Sequence, residues 1–450
     1  MHPYASHARI TLSAFLILAG ALASCELADS GMNDTSPDLD RALTDLLTSY
    51  GQRPLTTFRL PESDDLASIP QDPRNPLTPA KVELGKLLFH ETAISVSPRR
   101  PEGRGTYACA TCHHAGAGFQ AGRQQAIAEG GTGWGENGEA RRTNTAYGPG
   151  QVDALPIKSP TVLNTAFQRL MMWDGRLGSA SRNVGTEARW IPGSEPGQNH
   201  LGYEGLETQA IVALTSHRFG DIRFSSASED PTYRALWAEA FPGQLVSNET
   251  AGLAIAAYER TILANRAPIQ RWLRGEPNAM TDAEKRGAIL FFGKAGCEDV
   301  CHTGPALNIL EFYALGMADM VGPDVVGVVP ENKGRGGFTG IEEEDFLFKV
   351  PQLYNLKDSP FLGHGGTFRS IREVVDYYNA AIPDKSLPDG RLTERFIPLE
   401  LSEREVDDLV AFLSDALYDP DLDRYVPESL PSGNCTPAND PLARRDLGCD

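Results

Sequence analysis

Two stretches in opposite halves of the chain share one pattern of polar and apolar positions, and each is typical of an amphipathic helix. They cover residues 77–89 and 280–291. Both begin near a threonine that suits an N-cap: Thr78 is followed by proline at the first helical position, and Thr281 forms a capping-box pattern with Glu284. Each stretch then passes a glycine and ends in apolar residues. This repeat predicts two copies of one small helical unit.

A further helix is predicted near residue 402, whereas strand patterns are sparse. Ser402 and Glu405 form another capping-box pattern. The apolar series that follows at helical spacing is Val406, Leu409, Val410, Leu413 and Leu417. The chain also contains 44 glycines and 32 prolines, which indicate long irregular connections. We therefore expect an all-α fold with long irregular loops.

The N-terminus has the pattern of an export signal. An apolar run over residues 10–23 is too short to span a bilayer comfortably and is typical of a signal-peptide core. It ends in Leu22-Ala-Ser-Cys25, which resembles a bacterial lipobox, although an ordinary cleavage site beside an incidental cysteine is the alternative. Glu26 resembles the residue that follows the cysteine in outer-membrane lipoproteins. We expect a signal peptide over residues 1–24 and a periplasmic protein anchored, at the outer membrane, by a lipid on Cys25.

Length and composition divide the remainder of the chain. Residues 25–65 are rich in Asp, Ser and Thr and are expected to form a flexible tether. The roughly 425 residues left after cleavage exceed what one core usually organises, so two domains are expected, over residues 66–270 and 271–425. The formal net charge of −19 argues against a nucleic-acid partner or an anionic membrane face.

The sequence Cys109-Ala-Thr-Cys112-His113 is the attachment signature of a c-type haem. Two thiols at this spacing can each bond one vinyl group of the porphyrin, and His113 can then bind the iron as an axial ligand. A local disulfide or half of a zinc site are the alternatives. No second Cys-x-x-Cys pair lies nearby to complete a zinc site. A covalent haem is therefore expected here.

A second, imperfect copy of this signature lies at Cys297, Cys301 and His302, with three residues between the cysteines. A disulfide between Cys297 and Cys301 is the alternative in an exported protein. The helical repeat before each motif favours a second c-type haem with His302 as its ligand. Two cysteines then remain, Cys435 and Cys449, and they could close a tail over residues 426–450 by a disulfide.

The chain resembles the bacterial di-haem cytochrome c peroxidases, which include the protein-modifying enzyme MauG. The resemblance covers about residues 70–420, and its motifs are Val82–Phe89, Ser159–Phe167, Met172–Arg176, Leu206–Ala210, Cys301–Pro305, Phe348–Asn355 and Pro360–Gly366. It implies two cytochrome c-like domains, with a peroxidatic haem in the first and an electron-transferring haem in the second. It also implies that a calcium ion commonly lies between them.

The resemblance implies roles for several residues around the first haem. Trp173 matches the tryptophan that lies between the two haems, and Gln209 matches a glutamine of the peroxidatic pocket. The glutamate expected ten positions after that glutamine is absent, because Phe219 stands there and cannot transfer a proton. His217 is the candidate that we name for the missing proton carrier, and Glu207 is a second one.

Two further departures concern the ligands of the irons. Thr132 stands where classical members carry a displaceable distal histidine, so an open, five-coordinate first haem is expected. Tyr378 stands where classical members carry the distal methionine of the second haem, and MauG-like members have tyrosine there. Tyr377, Met317 and Met320 remain alternatives. An anionic phenolate favours ferric iron, whereas a thioether raises the reduction potential.

These features together predict a di-haem c-type peroxidase. It would reduce H2O2 at the N-terminal haem with electrons passed through the C-terminal haem from a small redox protein, a cytochrome c or a cupredoxin. One alternative is MauG-like oxidation of Tyr or Trp on a partner protein. Another is a non-catalytic electron-transfer cytochrome, which the missing glutamate favours.

Overall fold

The described part of the computed structural model comprises residues 36–49, 53–148, 150–388 and 390–449. The expected signal peptide and Cys25 lie outside it. The α-helices are α1 (Ser36–Ser49), α2 (Pro79–His90), α3 (Gly205–Ser216), α4 (Pro231–Ala240), α5 (Asn248–Thr261), α6 (Pro268–Leu273), α7 (Asp282–Phe292), α8 (Cys297–Val300), α9 (Gly334–Thr339), α10 (Ile371–Ala380), α11 (Glu403–Ala411) and α12 (Pro441–Asp446). Short 3₁₀ turns and long loops connect them.

Strands are few and short. β1 (Gly131–Thr132) pairs antiparallel with β2 (Arg142–Thr143), and β3 (Phe312–Tyr313) pairs antiparallel with β4 (Phe348–Lys349). The structure is thus mainly helical, as the sparse strand patterns predicted. No helix among the described residues has the length and apolar character needed to cross a bilayer.

The three predicted N-caps are present. Thr78 accepts a hydrogen bond from Lys81 N at 3.3 Å and so caps α2. Thr281 and Glu284 form a complete capping box at the start of α7, and Ser402 with Glu405 does the same for α11. Such caps satisfy backbone N–H groups that the first helical turn leaves without partners, which explains why these helices begin where the sequence predicted.

The two repeated helices pack in the same way. Gly85 of α2 faces the backbone of α5, where a Cβ atom would overlap the carbonyl group of Ala254. Gly287 of α7 faces the backbone of α11, where a Cβ atom would overlap the carbonyl group of Asp408. A glycine in each helix thus permits one close helix–helix crossing in each half of the chain. The sequence repeat therefore corresponds to a repeated helix pair.

Each helix pair has its own apolar core. The first core includes Leu84, Leu88, Leu206, Ala254 and Tyr258. The second includes Phe291, Phe292, Val375, Leu409 and Phe412. The C-terminal segment returns to the first core, because Leu422, Tyr425 and Leu430 pack there. The expected boundary at residue 425 therefore differs from the packing, in which the chain has already left the second core by residue 422.

Residues 36–49 and 53–60 also differ from the expected flexible tether. Helix α1 buries Leu39, Leu43 and Leu47, and its Asp40 accepts a hydrogen bond from Trp272 Nε1 at 2.7 Å. Phe58 and Leu60 join the same second core. Leucines at a spacing of four residues give α1 an apolar face, and burial of that face outweighs the polar composition of the segment.

The C-terminal tail is closed by a disulfide between Cys435 and Cys449. The four cysteines of the two haem motifs carry thiols instead. The tail packs beside β1: Asp440 accepts hydrogen bonds from Thr132 Oγ1 at 2.8 Å and from Gly133 N at 3.0 Å. The structure thus ties the end of the chain to the first domain.

Candidate functional site

Cys109, Cys112 and His113 line a cavity of about 480 Å³ in the first domain. Cys109 begins a short 3₁₀ turn, Cys109–Thr111, and Cys112 is its C-cap, so one turn brings both cysteines to the cavity. Burial lowers the pKa of His113 to about 4 and raises the pKa of Cys112 to about 12. The imidazole is therefore neutral near pH 7, and its Nδ1 atom is buried without a hydrogen-bond partner among the described residues. A neutral imidazole is the form that binds a metal.

Cys297, Cys301 and His302 line a second cavity, also of about 480 Å³. His302 Nδ1 lies 2.9 Å from the carbonyl oxygen of Leu307, and burial lowers the pKa of this histidine to about 4. Donation from Nδ1 to a carbonyl leaves Nε2 as the atom with the free lone pair. The additional residue between these cysteines is accommodated by the short helix α8. The second motif thus assembles the same set of groups as the first.

The residues of both cavities fit a c-type haem. Each cavity combines two thiols and a neutral histidine with largely apolar walls, among them Val162, Leu206 and Ile255 in the first and Phe291, Val375 and Leu409 in the second. Thiols bond the vinyl groups, an imidazole binds the iron and apolar walls suit the porphyrin faces. The two haem-binding sets that the sequence predicted are therefore each gathered around one cavity.

Gln209 and His217 both line the first cavity. Gln209 lies on α3 and His217 is the C-cap of that helix, so one helix brings both side chains to the cavity. His217 Nδ1 lies 2.9 Å from Asp153 Oδ2. Burial acts to lower the pKa of His217, but the charge and hydrogen bond of Asp153, together with the charge of Glu195, raise the pKa overall. A histidine oriented in this way can accept and return a proton inside the cavity.

The other two positions considered for proton transfer behave differently. Phe219 lines the first cavity but also packs against Tyr107, with ring centroids 5.1 Å apart, and has no proton to exchange. Glu207 does not line that cavity. Its carboxylate instead accepts hydrogen bonds from Arg260 Nε at 2.8 Å and from Arg260 Nη2 at 2.7 Å, with both side chains fully buried. Glu207 is thus a partner of Arg260 in the first core, and of the two candidates named from the sequence His217 is the one that lines the cavity.

Substitution of Glu207 by Gln is therefore expected to reduce stability rather than to alter chemistry in the cavity. Loss of the carboxylate leaves the Arg260 guanidinium buried with incomplete compensation, which typically costs about 3–5 kcal/mol. The free energy of unfolding of the haem-loaded protein, followed by chemical denaturation, tests this expectation.

Glu276→Gln is the matched control, because the Arg271–Glu276 ion pair is about half exposed. Its loss should cost less than about 1 kcal/mol. Equal effects of the two substitutions would contradict the structural role of Glu207.

Trp173 lines both cavities. Its Nε1 atom donates a hydrogen bond to the carbonyl oxygen of Lys158 at 2.8 Å, and its own carbonyl oxygen accepts one from Lys349 N at 2.8 Å. The indole also packs edge-on against His364, with ring centroids 6.3 Å apart. The ring thus lines both cavities, and its place between two bound haems stays a prediction.

Tyr378 and Met317 line the second cavity, whereas Tyr377 and Met320 do not. The Tyr377 hydroxyl donates to the carbonyl oxygen of Leu315 at 2.6 Å. The Tyr378 hydroxyl has no hydrogen-bond partner among the described residues, and burial together with the nearby Cys301 raises the pKa of its phenol. Of the four candidate ligands, Tyr378 and Met317 thus lie at the second cavity, and which of them binds the iron stays a prediction.

Thr132 lies away from the first cavity. Its hydroxyl donates to Asp440, and Trp134 in the same loop is buried against Ala438 and Ala443 of the tail. Asp446 accepts hydrogen bonds from Trp134 N at 2.7 Å and from Gly135 N at 3.2 Å. The loop of Thr132 and Trp134 is thus held by the tail, and the open first haem stays a prediction.

The contact between Asp153 and His217 could not be predicted from the sequence patterns. Asp153 orients His217 from 64 positions away, and no local pattern connects the two residues.

Within the described residues, no group of three or more His, Cys, Asp or Glu side chains is arranged around a common metal position. Calcium is also bound by carbonyl and amide oxygens, so the expected calcium ion stays a prediction.

Comparison with known proteins agrees with this geometry. Residues 79–278 match the family model of the di-haem cytochrome c peroxidases. The methylamine utilization protein MauG of Methylorubrum extorquens is 30% identical over 367 residues, which cover 81% of this chain and 84% of that protein. The cytochrome c551 peroxidase of Pseudomonas aeruginosa is 26% identical over 341 residues, covering 75% of this chain and 79% of that protein.

Solved structures show the same fold. A MauG-like protein associated with microbial copper homeostasis superimposes with a TM-score of 0.56 at 23% identity, covering 81% of this chain and 95% of that one. The di-haem peroxidase BthA of Burkholderia thailandensis gives a TM-score of 0.52 at 19% identity, covering 78% and 88%. Fold, paired cavities and sequence similarity agree: the chain belongs to the di-haem cytochrome c peroxidase family and is an oxidoreductase of that type.

Proposed function

We propose that this protein reduces H2O2 in the cavity of His113, with electrons delivered through the haem of the His302 cavity and past Trp173. The observation that carries the proposal is the presence of Gln209 and His217 in the wall of the cavity that contains His113. A passive electron carrier needs neither a polar amide nor an oriented histidine beside its iron. When bound, a c-type haem supplies the redox iron at which the O–O bond breaks.

The chain's own residues have separate roles in this proposal. The Gln209 amide donates a hydrogen bond to the bound peroxide and orients it. His217, in its neutral form, accepts a proton from one peroxide oxygen and returns it to the other as the O–O bond breaks. Asp153 holds the imidazole so that Nε2 is the atom that exchanges the proton. Two protons and two electrons convert one H2O2 into two water molecules.

A second candidate function is MauG-like oxidation of a Tyr or Trp side chain on a partner protein. The observation that favours it is Tyr378, whose phenol lines the second cavity without a hydrogen-bond partner among the described residues. A phenolate ligand favours oxidised iron and suits the sharing of oxidising equivalents between the two cavities. The partner in that case is a protein substrate rather than a small electron-donor protein such as a cytochrome c or a cupredoxin. In both cases the proposed location is the periplasm, with a lipid on Cys25.

Rapid mixing of the fully oxidised protein with H2O2 tests the enzymatic proposal. We expect the Soret band to shift or bleach within the mixing time. We also expect Trp173→Phe to slow electron exchange between the haems, because the indole that lies between the cavities is replaced by a ring that is harder to oxidise.

Trp237→Phe is the matched control, because Trp237 is a buried tryptophan of α4 that lines neither cavity. It should leave the exchange rate unchanged. If H2O2 leaves the spectrum unaltered while the haems still exchange electrons with small cytochromes, the protein is an electron carrier.

A further inference from the structure

Two lysines are buried at the cavities, and among the described residues neither forms an ion pair with a carboxylate. Lys158 is 2% exposed and lines both cavities, and Lys349 is 8% exposed and lines the second. Lys158 Nζ donates to the carbonyl oxygens of Ala121 at 2.6 Å and Arg123 at 3.4 Å. Lys349 Nζ donates to Leu170 O at 2.8 Å and to Gln168 Oε1. An ammonium group has three N–H donors, so each lysine retains one for a further acceptor.

The other cationic side chains of the two cavities are placed differently. Those with a carboxylate partner are Arg176 with Asp174 and Glu195, Lys333 with Asp345, Lys294 with Glu405, and Lys385 with Asp319 and Glu331. Arg395 is exposed to solvent. Among the described cavity residues, Lys158 and Lys349 are thus the buried lysines that form no ion pair, although Asp174 acts on Lys349 from a longer distance.

This arrangement is costly in the protein alone. Moving an ammonium group out of water costs several kcal/mol unless an opposite charge compensates it. Burial accordingly lowers the pKa of Lys158 to about 7 and that of Lys349 to about 7. A neutral methylene chain would fill the same space without this cost, so the two amines indicate an anion that the polypeptide itself does not supply.

We propose that Lys158 and Lys349 each bind a haem propionate carboxylate through the remaining N–H. Lys158 lies where the two cavities meet, so its charge acts on both haems, and Lys349 lies at the second cavity. The cavities already require haem for their thiols and histidines, and propionates are the anionic groups of that cofactor. This inference rests on the proposed presence of two haems.

The same two lysines also hold Trp173 through their backbone groups. The backbone carbonyl of Lys158 accepts the indole N–H, and the backbone N–H of Lys349 donates to the Trp173 carbonyl. A lysine that holds a propionate through its side chain therefore holds Trp173 through its backbone. The two lysines fix the tryptophan and the cofactor edges in one arrangement.

The test measures the reduction potential of each haem by spectroelectrochemistry in Lys158→Met and Lys349→Met. Met has a similar length and no charge. Loss of a nearby cation stabilises ferric relative to ferrous haem, so each affected potential should fall. We expect at least a tenfold rise in the ferric-to-ferrous ratio at fixed potential, which corresponds to about 59 mV for one electron. Lys349→Met should shift the haem of His302, and Lys158→Met should shift both.

Lys333→Met is the control, because Lys333 lines the first cavity but is about half exposed and paired with Asp345. Its effect on either potential should be small. Unchanged potentials in both buried-lysine variants, with two haems bound, would overturn the lysine proposal and leave the proposed function intact. Fewer than two haems per wild-type chain in a pyridine haemochrome assay would overturn both.

If the Met variants fail to incorporate haem, the Arg variants decide the matter. Lys158→Arg and Lys349→Arg retain the charge, so recovery of haem incorporation by Arg supports a carboxylate partner. Failure of Arg and Met alike shows that the lysines fill space rather than bind an anion, and this result overturns the proposal.

Discussion

Replacement of His217 by Gln should slow the reaction of the oxidised protein with H2O2 by about 10²- to 10⁴-fold, the usual contribution of a general acid–base group. Glutamine retains a polar side chain of similar reach but cannot carry a proton between the two peroxide oxygens. His217 lines the cavity and is held by Asp153, whereas the position ten residues after Gln209 carries a phenylalanine. The second-order rate constant from stopped-flow mixing measures the effect.

The rate of reaction with H2O2 should increase with pH. His217 must be neutral to accept the first proton, so the rate should rise with pH through the pKa of His217 and then level off. The Asp153 carboxylate raises that pKa against the opposing effect of burial. Asp153→Asn removes the raising charge, so the rising limb should move to lower pH, while His217→Gln should abolish it.

His200→Gln is the matched control for His217. His200 packs on Trp190, its Nε2 atom lies 3.0 Å from Trp190 O, and it lines neither cavity. Its substitution should leave the rate with H2O2 unchanged. A wild-type rate in His217→Gln would show that another group carries the proton.

Replacement of Tyr378 by Met should raise the potential of the haem in the His302 cavity, because a thioether stabilises ferrous iron and a phenolate stabilises ferric iron. Axial ligands and their surroundings set haem potentials over about 0.8 V, so a change of hundreds of millivolts is within reach. Tyr378→Phe should remove the ligand and alter the low-spin EPR signal. Spectroelectrochemistry and EPR of the oxidised protein measure both changes.

Tyr377→Phe provides an internal control one position away. Its hydroxyl donates to Leu315 O rather than entering the cavity, so its loss should leave the low-spin signal intact. Met317 is the competing ligand, since it lines the same cavity. If Met317→Leu abolishes the signal and Tyr378→Phe does not, the second haem is ligated by methionine and the protein resembles the classical peroxidases.

The substitutions of His217 and Tyr378 together distinguish the two candidate enzymatic functions. A low-potential, tyrosine-ligated second haem should allow the fully oxidised protein to react with H2O2 without prior reduction, as the MauG-like function requires. A methionine-ligated haem would instead store one electron from a donor protein. Activity that depends on His217 but not on Tyr378 would favour the peroxidase proposal.

The amino-acid sequence by itself determined the features that depend on neighbouring residues. The two haem signatures, the repeated helices and the caps at Thr78, Thr281 and Ser402 all involve groups within a few positions of each other. Such contacts form wherever the local chain adopts its preferred conformation, so spacing alone was sufficient to predict them. The family resemblance added the positions of Gln209, Trp173 and Tyr378 because it rests on ordered motifs.

Only the tertiary structure decided which side chains share a cavity. His217 contacts Asp153, and Glu207 forms a buried ion pair with Arg260. Lys158 and Lys349 form backbone hydrogen bonds with Trp173. These partners lie from about fifteen to nearly two hundred positions apart, and their proximity depends on how helices and long loops pack. Their burial changes what they can do, because desolvation and a partner's charge set the proton affinity of a carboxylate, an imidazole or an amine. The chemistry of the site is therefore a property of the packed chain.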